Sequence, residues 1–296
     1  MSRTIQIMII ILITISSCKE KTKTVPKDIF RPNLIALFVE DIDSSLNWYK
    51  EKLNFEVERA IEEYPDYGLK IAFLESNGFH LELIEKANSF KQSEITINED
   101  RYVGGVFKVG FKTNDLEKVY NQLKKFNDVE FVTDIGVLPE NKIPIPWPTK
   151  YFLIKDPDGN FIQFFDLGDS KQISPWLTMI TVGSLENSIF WYSEFLGFKH
   201  LKTMGEKGNQ RAILERNNYV LELFEPNEVI EANQISADTT VLGFRKIAFE
   251  IKDLTHLSKD KIEIIAPIEK SDFEWASKAM IVKDLEGNWT QIFEKK

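Results

Sequence analysis

The sequence predicts an α+β protein of two homologous domains in tandem, each built from two strand–helix–strand units. Three observations carry this expectation. The chain has 296 residues, a length suited to about two domains. It also repeats itself. Asp41-Ile-Asp-Ser-Ser-Leu-Asn-Trp-Tyr49 matches Ser184-Leu-Glu-Asn-Ser-Ile-Phe-Trp-Tyr192, and Leu53-Asn-Phe55 matches Leu196-Gly-Phe198, both at an offset of 143. The offset then falls to 140 for Leu81-Glu-Leu83 and Leu221-Glu-Leu223, and to 138 for Lys108–Asp115 and Lys246–Asp253. It reaches 128 for Asp156-Pro-Asp-Gly-Asn160 and Asp284-Leu-Glu-Gly-Asn288. A falling offset is what loop deletions in a second copy produce. The third observation is that apolar periodicity switches between strand and helix spacing inside each copy.

The elements follow in chain order. Arg3 precedes an apolar run from Ile5 to Ile15, which is too short to span a membrane and reads as the core of a signal peptide. The run ends Ile15-Ser-Ser-Cys18. Small residues before the chain's single cysteine resemble a bacterial lipoprotein signal, which would remove residues 1–17 and lipidate Cys18. Residues 18–29, rich in lysine, read as a polar tether. The first domain is expected over 30–168, a polar linker at 169–173 and the second domain over 174–296. Leu34–Val39 suits a strand. Asp43 and Ser44 are candidate caps for a helix whose Leu46, Tyr49 and Leu53 share one face. Residues 69–75, 79–85, 106–112 and 150–155 read as further strands, and Leu116–Phe126 as a helix. Asp156-Pro-Asp-Gly159 is a turn, because proline presets its dihedral and glycine accepts positive φ. Strand 160–165 follows it.

Composition excludes several classes. A net charge of −9 gives no general basic field for nucleic acid. One cysteine allows no intrachain disulfide and no cysteine-built zinc site, and the three histidines leave little for histidine-rich metal chemistry.

The order V-x-D-x-x-x-S-L-x-W-Y, L-x-F, L-E-L and D-P-D-G-N-x-x-Q, duplicated along the chain, resembles the vicinal oxygen chelate superfamily of glyoxalase I, extradiol dioxygenases and bleomycin-resistance proteins. The resemblance implies paired βαβββ modules in each domain, whose eight strands curl into a cup around a small-molecule pocket. In its metal-dependent members four cup positions bind a divalent cation. Carried over, these fall on Leu34, Glu82, Lys108 and Gln163 in the first domain, and on Leu177, Glu222, Lys246 and Gln291 in the second. Leucine offers no donor atom, and a protonated lysine repels a cation. A carboxylate and an amide are too few for a tight zinc or iron site, so neither metal nor other cofactor is expected.

In place of a metal, Glu82 is expected to face Lys108, and Glu222 to face Lys246. Each pair reads either as an ion pair that plugs or anchors ligand in the cup, or as the setting of a catalytic lysine. His80 lies two residues before Glu82 and shares its face. It reads as a pocket histidine or as half of a rudimentary metal pair. Trp147 and Trp275 each lie nine residues before a D-x-x-G-N turn and are candidates to stack on a planar ligand, or to pack at an edge. Pro139–Pro148 reads as a stiff rim. The Trp-Tyr pairs at 48–49 and 191–192 read as helix-to-sheet core.

Two classes of function fit. One is a membrane-tethered, metal-free binding protein for a small apolar or aromatic molecule, as in bleomycin-resistance relatives. The other is a glyoxalase-like lyase or isomerase using a pocket lysine or a weak metal site at Glu82 and His80. The missing ligands favour the first. Expected partners are a small-molecule ligand and, through the N-terminal lipid, the membrane of a bacterial cell envelope, with no nucleic acid.

Overall fold

In the computed structural model, residues 30–87, 89–90, 101–138, 149–167, 172–230, 240–257, 262–285 and 287–296 are described. The leader, Cys18, the tether, Trp147 and the Pro139–Pro148 rim lie outside them, as does much of the linker.

Four modules follow one another. The first holds β1 (Phe30–Val39), α1 (Ile42–Leu53), β2 (Glu56–Tyr64), β3 (Leu69–Ser76) and β4 (Phe79–Lys86). Two short strands, β5 (Ser89–Phe90) and β6 (Arg101–Val103), lead to the second module. That module is β7 (Gly105–Thr113), α2 (Leu116–Leu123), β8 (Glu130–Val137), β9 (Lys150–Lys155) and β10 (Phe161–Asp166). The third is β11 (Ser174–Thr181), α3 (Leu185–Leu196), β12 (Lys199–Met204), β13 (Asn209–Arg216) and β14 (Tyr219–Pro226). Short β15 (Glu228–Ile230) and β16 (Thr240–Val241) precede the fourth, β17 (Gly243–Ile251), β18 (Glu263–Lys270), β19 (Ala276–Lys283) and β20 (Trp289–Lys295). Where the other modules have an α-helix, the described part of the fourth has a 3₁₀ turn at Leu254–His256.

The α1 helix is capped two residues earlier than the first candidate, Asp43. Asp41 is its cap, accepting from the Ser44 amide at 2.7 Å, and Asp43 lies in the first turn. Ser184 does the same for α3. The strands β2, β8, β12 and β18, which carry little apolar alternation, sit at sheet edges.

The α+β fold class holds, with two eight-stranded mixed sheets. The modules are partnered differently from the expectation. One sheet runs β18-β19-β20-β17-β1-β4-β3-β2, so it joins the first module to the fourth. The other runs β12-β13-β14-β11-β7-β10-β9-β8, so it joins the second to the third. The seams are antiparallel: Ala36 faces Lys246 across β1 and β17, and Met179 faces Lys108 across β11 and β7. A repeat pattern cannot distinguish these partnerings, since each module looks the same locally in either. Chain geometry favours the observed one between the second and third modules. Strand β10 ends beside Thr113 and β11 begins beside Lys112, so the two strand ends lie close together at the same end of β7.

Each half of the chain is nevertheless held together, by the repeated motifs themselves. The Tyr49 hydroxyl on α1 donates to Asp156 at 2.8 Å, and the Tyr192 hydroxyl on α3 donates to Asp284 at 2.7 Å; both bonds are buried. The same aspartates bind their own turns, Asp156 accepting from the amides of Asp158 and Asn160 and Asp284 from that of Asn288. The two asparagines then meet glycines of the opposite sheet. Gly105 (φ +124°) opens β7 against Asn288, where a Cβ would come within 2.6 Å of the amide oxygen. Gly243 (φ +118°) opens β17 against Asn160, where the distance would be 2.9 Å. At these positions only glycine allows both the dihedral and the approach.

Burial pushes the Asp156 carboxyl up to about 6, against the pull of its hydrogen bonds. A folded value above the ordinary 3.8 means the native state holds this proton more tightly. Its contribution is therefore fully present below about pH 4 and declines as pH rises through about 6. Tyr49→Phe and Tyr192→Phe are each expected to lower stability by about 1.5–3 kcal/mol in urea unfolding, the range for hydrogen bonds to charged groups. Between pH 4 and 7, the stability of wild type relative to Asp156→Asn should fall by on the order of 3 kcal/mol. A difference independent of pH would mean that the carboxyl is not perturbed.

Candidate functional site

The partnering of modules decides which polar residues meet. In the first cup, Ala36 on β1 lies between Glu82 on β4 and Lys246 on β17. The Lys246 ammonium forms an ion pair with the Glu82 carboxylate. Gln291 on β20 is in the same lining. In the second cup, Met179 on β11 lies between Glu222 on β14 and Lys108 on β7, and Gln163 is on β10 beside β7. Here the Lys108 ammonium is 3.6 Å from Glu222. The expected pairs, Glu82 with Lys108 and Glu222 with Lys246, are corrected to Glu82 with Lys246 and Glu222 with Lys108. The residue types at the cup positions were read correctly, but their grouping followed chain order, whereas the sheets join the first module to the fourth. Leu34, His80 and Glu82 thus share a cup with Lys246, Trp275 and Gln291. Lys108 and Gln163 share one with Leu177 and Glu222.

The two cups differ in what fills them. The first holds a cavity of about 320 Å³, lined at its base by Glu82, Lys246 and Gln291 and on its walls by Phe73, Phe273, Phe293 and Ala279. In the second, Met179 replaces Ala36 and packs with Phe165, Trp176, Leu177, Ile213, Val220 and Phe224 in one buried cluster. Arg211 also enters, donating to Glu222 at 2.6 Å while its guanidinium lies 4.6 Å over Phe224. Two cations therefore share one carboxylate. Burial would raise the Glu222 carboxyl, but the charges of Lys108 and Arg211 outweigh it and hold it below the ordinary value. Burial lowers the Lys108 ammonium below the usual lysine range, helped by Arg211 and opposed by Glu222.

His80 stacks on Trp275 with ring centres 4.5 Å apart and an angle of 19°. Its Nδ1 lies 2.8 Å from Glu58, and the Trp275 indole donates to the same carboxylate at 3.3 Å. Trp275 in turn stacks on Phe273 at 4.8 Å and meets Phe293 edge-on at 4.7 Å. Trp275 is thus part of an aromatic wall of the first cup. The sequence reading missed Glu58, Arg59, Phe73, Phe273 and Arg211. Four of these are on edge strands or their hairpin partners, and Phe273 is in a loop, where neither periodicity nor repeat singles them out.

The donors do not suit a divalent cation. Lys246 occupies the Glu82 carboxylate where a metal would sit, and Leu34 adds no donor. His80 is engaged by Glu58 and Trp275, and Glu82 by Lys246, so the rudimentary pair of His80 with Glu82 is already spent on other partners. Among the described residues no group of three His, Cys, Asp or Glu is placed to hold a metal ion.

Comparison with known proteins agrees with this architecture. Residues 31–164 match the family model described as the Glyoxalase/Bleomycin resistance protein/Dioxygenase superfamily. Over 135 residues the chain is 27% identical to the uncharacterized protein YwbC of Bacillus subtilis, covering 44% of this chain and 91% of that one. The crystal structure of glyoxalase I from Zea mays superposes with a TM-score of 0.61 at 19% identity, over 90% of this chain and 93% of that chain. A putative dioxygenase from Bacillus subtilis superposes with a TM-score of 0.62 at 11% identity, over 89% and 84%. At these identities the structures share the fold. The family match assigns residues 31–164 to that superfamily, and the rest of the chain shares its fold.

The ion-pair assignment is open to a double-mutant cycle. Lys246→Met alone strands the Glu82 carboxylate and should cost about 3–5 kcal/mol, part of which Glu82→Gln should restore. Lys108→Met and Glu222→Gln should couple in the same way. The crossed pair, Glu82→Gln with Lys108→Met, should be additive within about 0.5 kcal/mol. Coupling in the crossed pair would contradict the assignment.

Proposed function

We propose that this protein is a lipid-anchored, metal-free binding protein that holds one small, largely apolar molecule in its first cup. The observation that carries the reading is the asymmetry between the cups. Ala36 leaves about 320 Å³ over the Glu82–Lys246 pair and Gln291, whereas Met179 and its neighbours take up the matching position in the second. A concave pocket that sets aromatic side chains beside convergent polar groups is a usual form of ligand site, and this one joins Phe73, Phe273 and Phe293 to a largely charged lining. Both donor and acceptor stand at its base, so a ligand polar group of either kind can be oriented there. The family match over residues 31–164 supports a small molecule as the partner. The leader before Cys18 supports the anchor and an envelope location; among the described residues no helix is long and apolar enough to cross a membrane.

The second cup is read as structural. Its shared carboxylate and packed apolar base serve the fold.

Binding of the neutral dye N-phenyl-1-naphthylamine tests the pocket. We expect one site per chain, with affinity lowered at least about tenfold in Ala279→Phe, which places a ring in the cavity. Dye binding unchanged by Ala279→Phe would refute the reading. One tightly held zinc, nickel or iron per chain, surviving dialysis, would favour an enzyme instead. For the anchor, Cys18→Ala should leave the protein unprocessed or release it from membranes, and unchanged membrane fractionation would remove that part of the proposal.

A further inference from the structure

The mouth of the first cup already contains a bound flat cation, supplied by the chain itself. Arg59 is on edge strand β2. Its guanidinium carbon lies 4.3 Å over the Phe273 ring and 5.4 Å over the Phe73 ring. Its Nη2 donates to the Asp272 carbonyl oxygen at 2.9 Å. Among the described residues it makes no ion pair with a carboxylate, so π faces and one carbonyl hold this charge. Such faces attract a cation by their quadrupole, and more strongly as water is excluded. Phe273 is backed by Trp275, which stacks on that ring and is itself held by Glu58 and His80.

The surrounding charge favours the same class of ligand. The lining contains the acids Glu62, Glu82, Glu269 and Asp272 and the bases Arg59, Lys246 and Lys270. If Arg59 swings to solvent, four carboxylates face two ammonium groups, and one of these, Lys246, is engaged by Glu82. The vacated slot then combines aromatic faces, a carbonyl acceptor and an excess of negative charge.

We propose that the first cup selects an organic cation with a flat amidinium- or guanidinium-like head, which takes the place of the Arg59 guanidinium over the Phe273 face, beside the Phe73 ring that meets Phe273 edge-on. This rests on the reading of the first cup as the ligand pocket and names the ligand's chemistry. The head donates to the Asp272 carbonyl, and the apolar body extends toward Phe293 and Ala279. Arg59 acts as an internal competitor that keeps the clamp filled when no ligand is present.

Calorimetric titration with benzamidinium, benzamide and benzoate at one ionic strength tests this. All three have the same ring, and they differ in charge. Benzamidinium should bind more tightly than benzamide by roughly fivefold or more, the size of a solvent-accessible cation–π contact, with benzoate weakest. Arg59→Ala, with Arg59→Gln as the alternative should alanine impair folding, should tighten benzamidinium by a similar factor. Phe273→Leu should weaken it. A binding site in which Arg59→Ala loses affinity, or in which the three probes bind alike, overturns the clamp. If those probes still disappear in Ala279→Phe, the pocket itself stands. Binding that survives Ala279→Phe overturns the pocket and the clamp together.

Discussion

The buried hydrogen bonds from Tyr49 to Asp156 and from Tyr192 to Asp284 set the arrangement on which the cups depend. Each joins a helix packed on one sheet to a turn of the other. Around each aspartate, the turn amides and an asparagine side chain complete a small polar knot in an otherwise apolar interior. That asparagine then abuts the glycine that opens a strand in the opposite sheet. A polar group buried without partners is costly, so these knots are strongly position-specific. They hold the modules of one half together across two different sheets, and each sheet is completed by the other half.

The repeated motifs therefore do their work in pairs. The Trp-Tyr dipeptide and the D-x-x-G-N turn stand out in the sequence because each module needs one end of such a bond or a strand-opening glycine beside it. Periodicity was enough to locate the interior strands and the helices, since their apolar residues alternate or recur on one face. It failed for β2, with the sequence Glu56-Val-Glu-Arg-Ala-Ile-Glu-Glu-Tyr64, because an edge strand exposed along most of its length has little reason to alternate. The identity of the polar cup residues was legible from the motifs. Their grouping was not: every module carries the same local pattern, and the choice of sheet partner depends on turns and buried bonds between distant modules.

The same scaffold leads to two unlike interiors through a few substitutions at matched positions. Ala36 and Met179 each lie between a glutamate and a lysine on neighbouring strands. A methyl group leaves room above the pair, whereas a thioether fills it. Asn33 and Trp176 differ similarly at the irregularity before Leu34 and Leu177, and Trp176 lies edge-on against Phe165 in the packed cup. In one cup the lysine has a glutamate to itself; in the other it shares one with Arg211. Each cup thus carries a charged pair whose desolvation must be balanced locally. The two cups balance it in different ways, one beneath an open cavity and one beside Met179 and Arg211.

The central structural claim is that each cup needs both halves of the chain. It is tested most directly by producing residues 30–168 and 174–296 separately and together, and following association state and urea unfolding. Neither half alone should give a monomer that unfolds cooperatively. Together they should co-purify one to one and unfold as a unit. Pairing of a half with a second copy of itself, which supplies the same missing strands, also agrees with the account. A monomeric, cooperatively unfolding 30–168 would show that the first two modules close a cup by themselves, and would contradict the account.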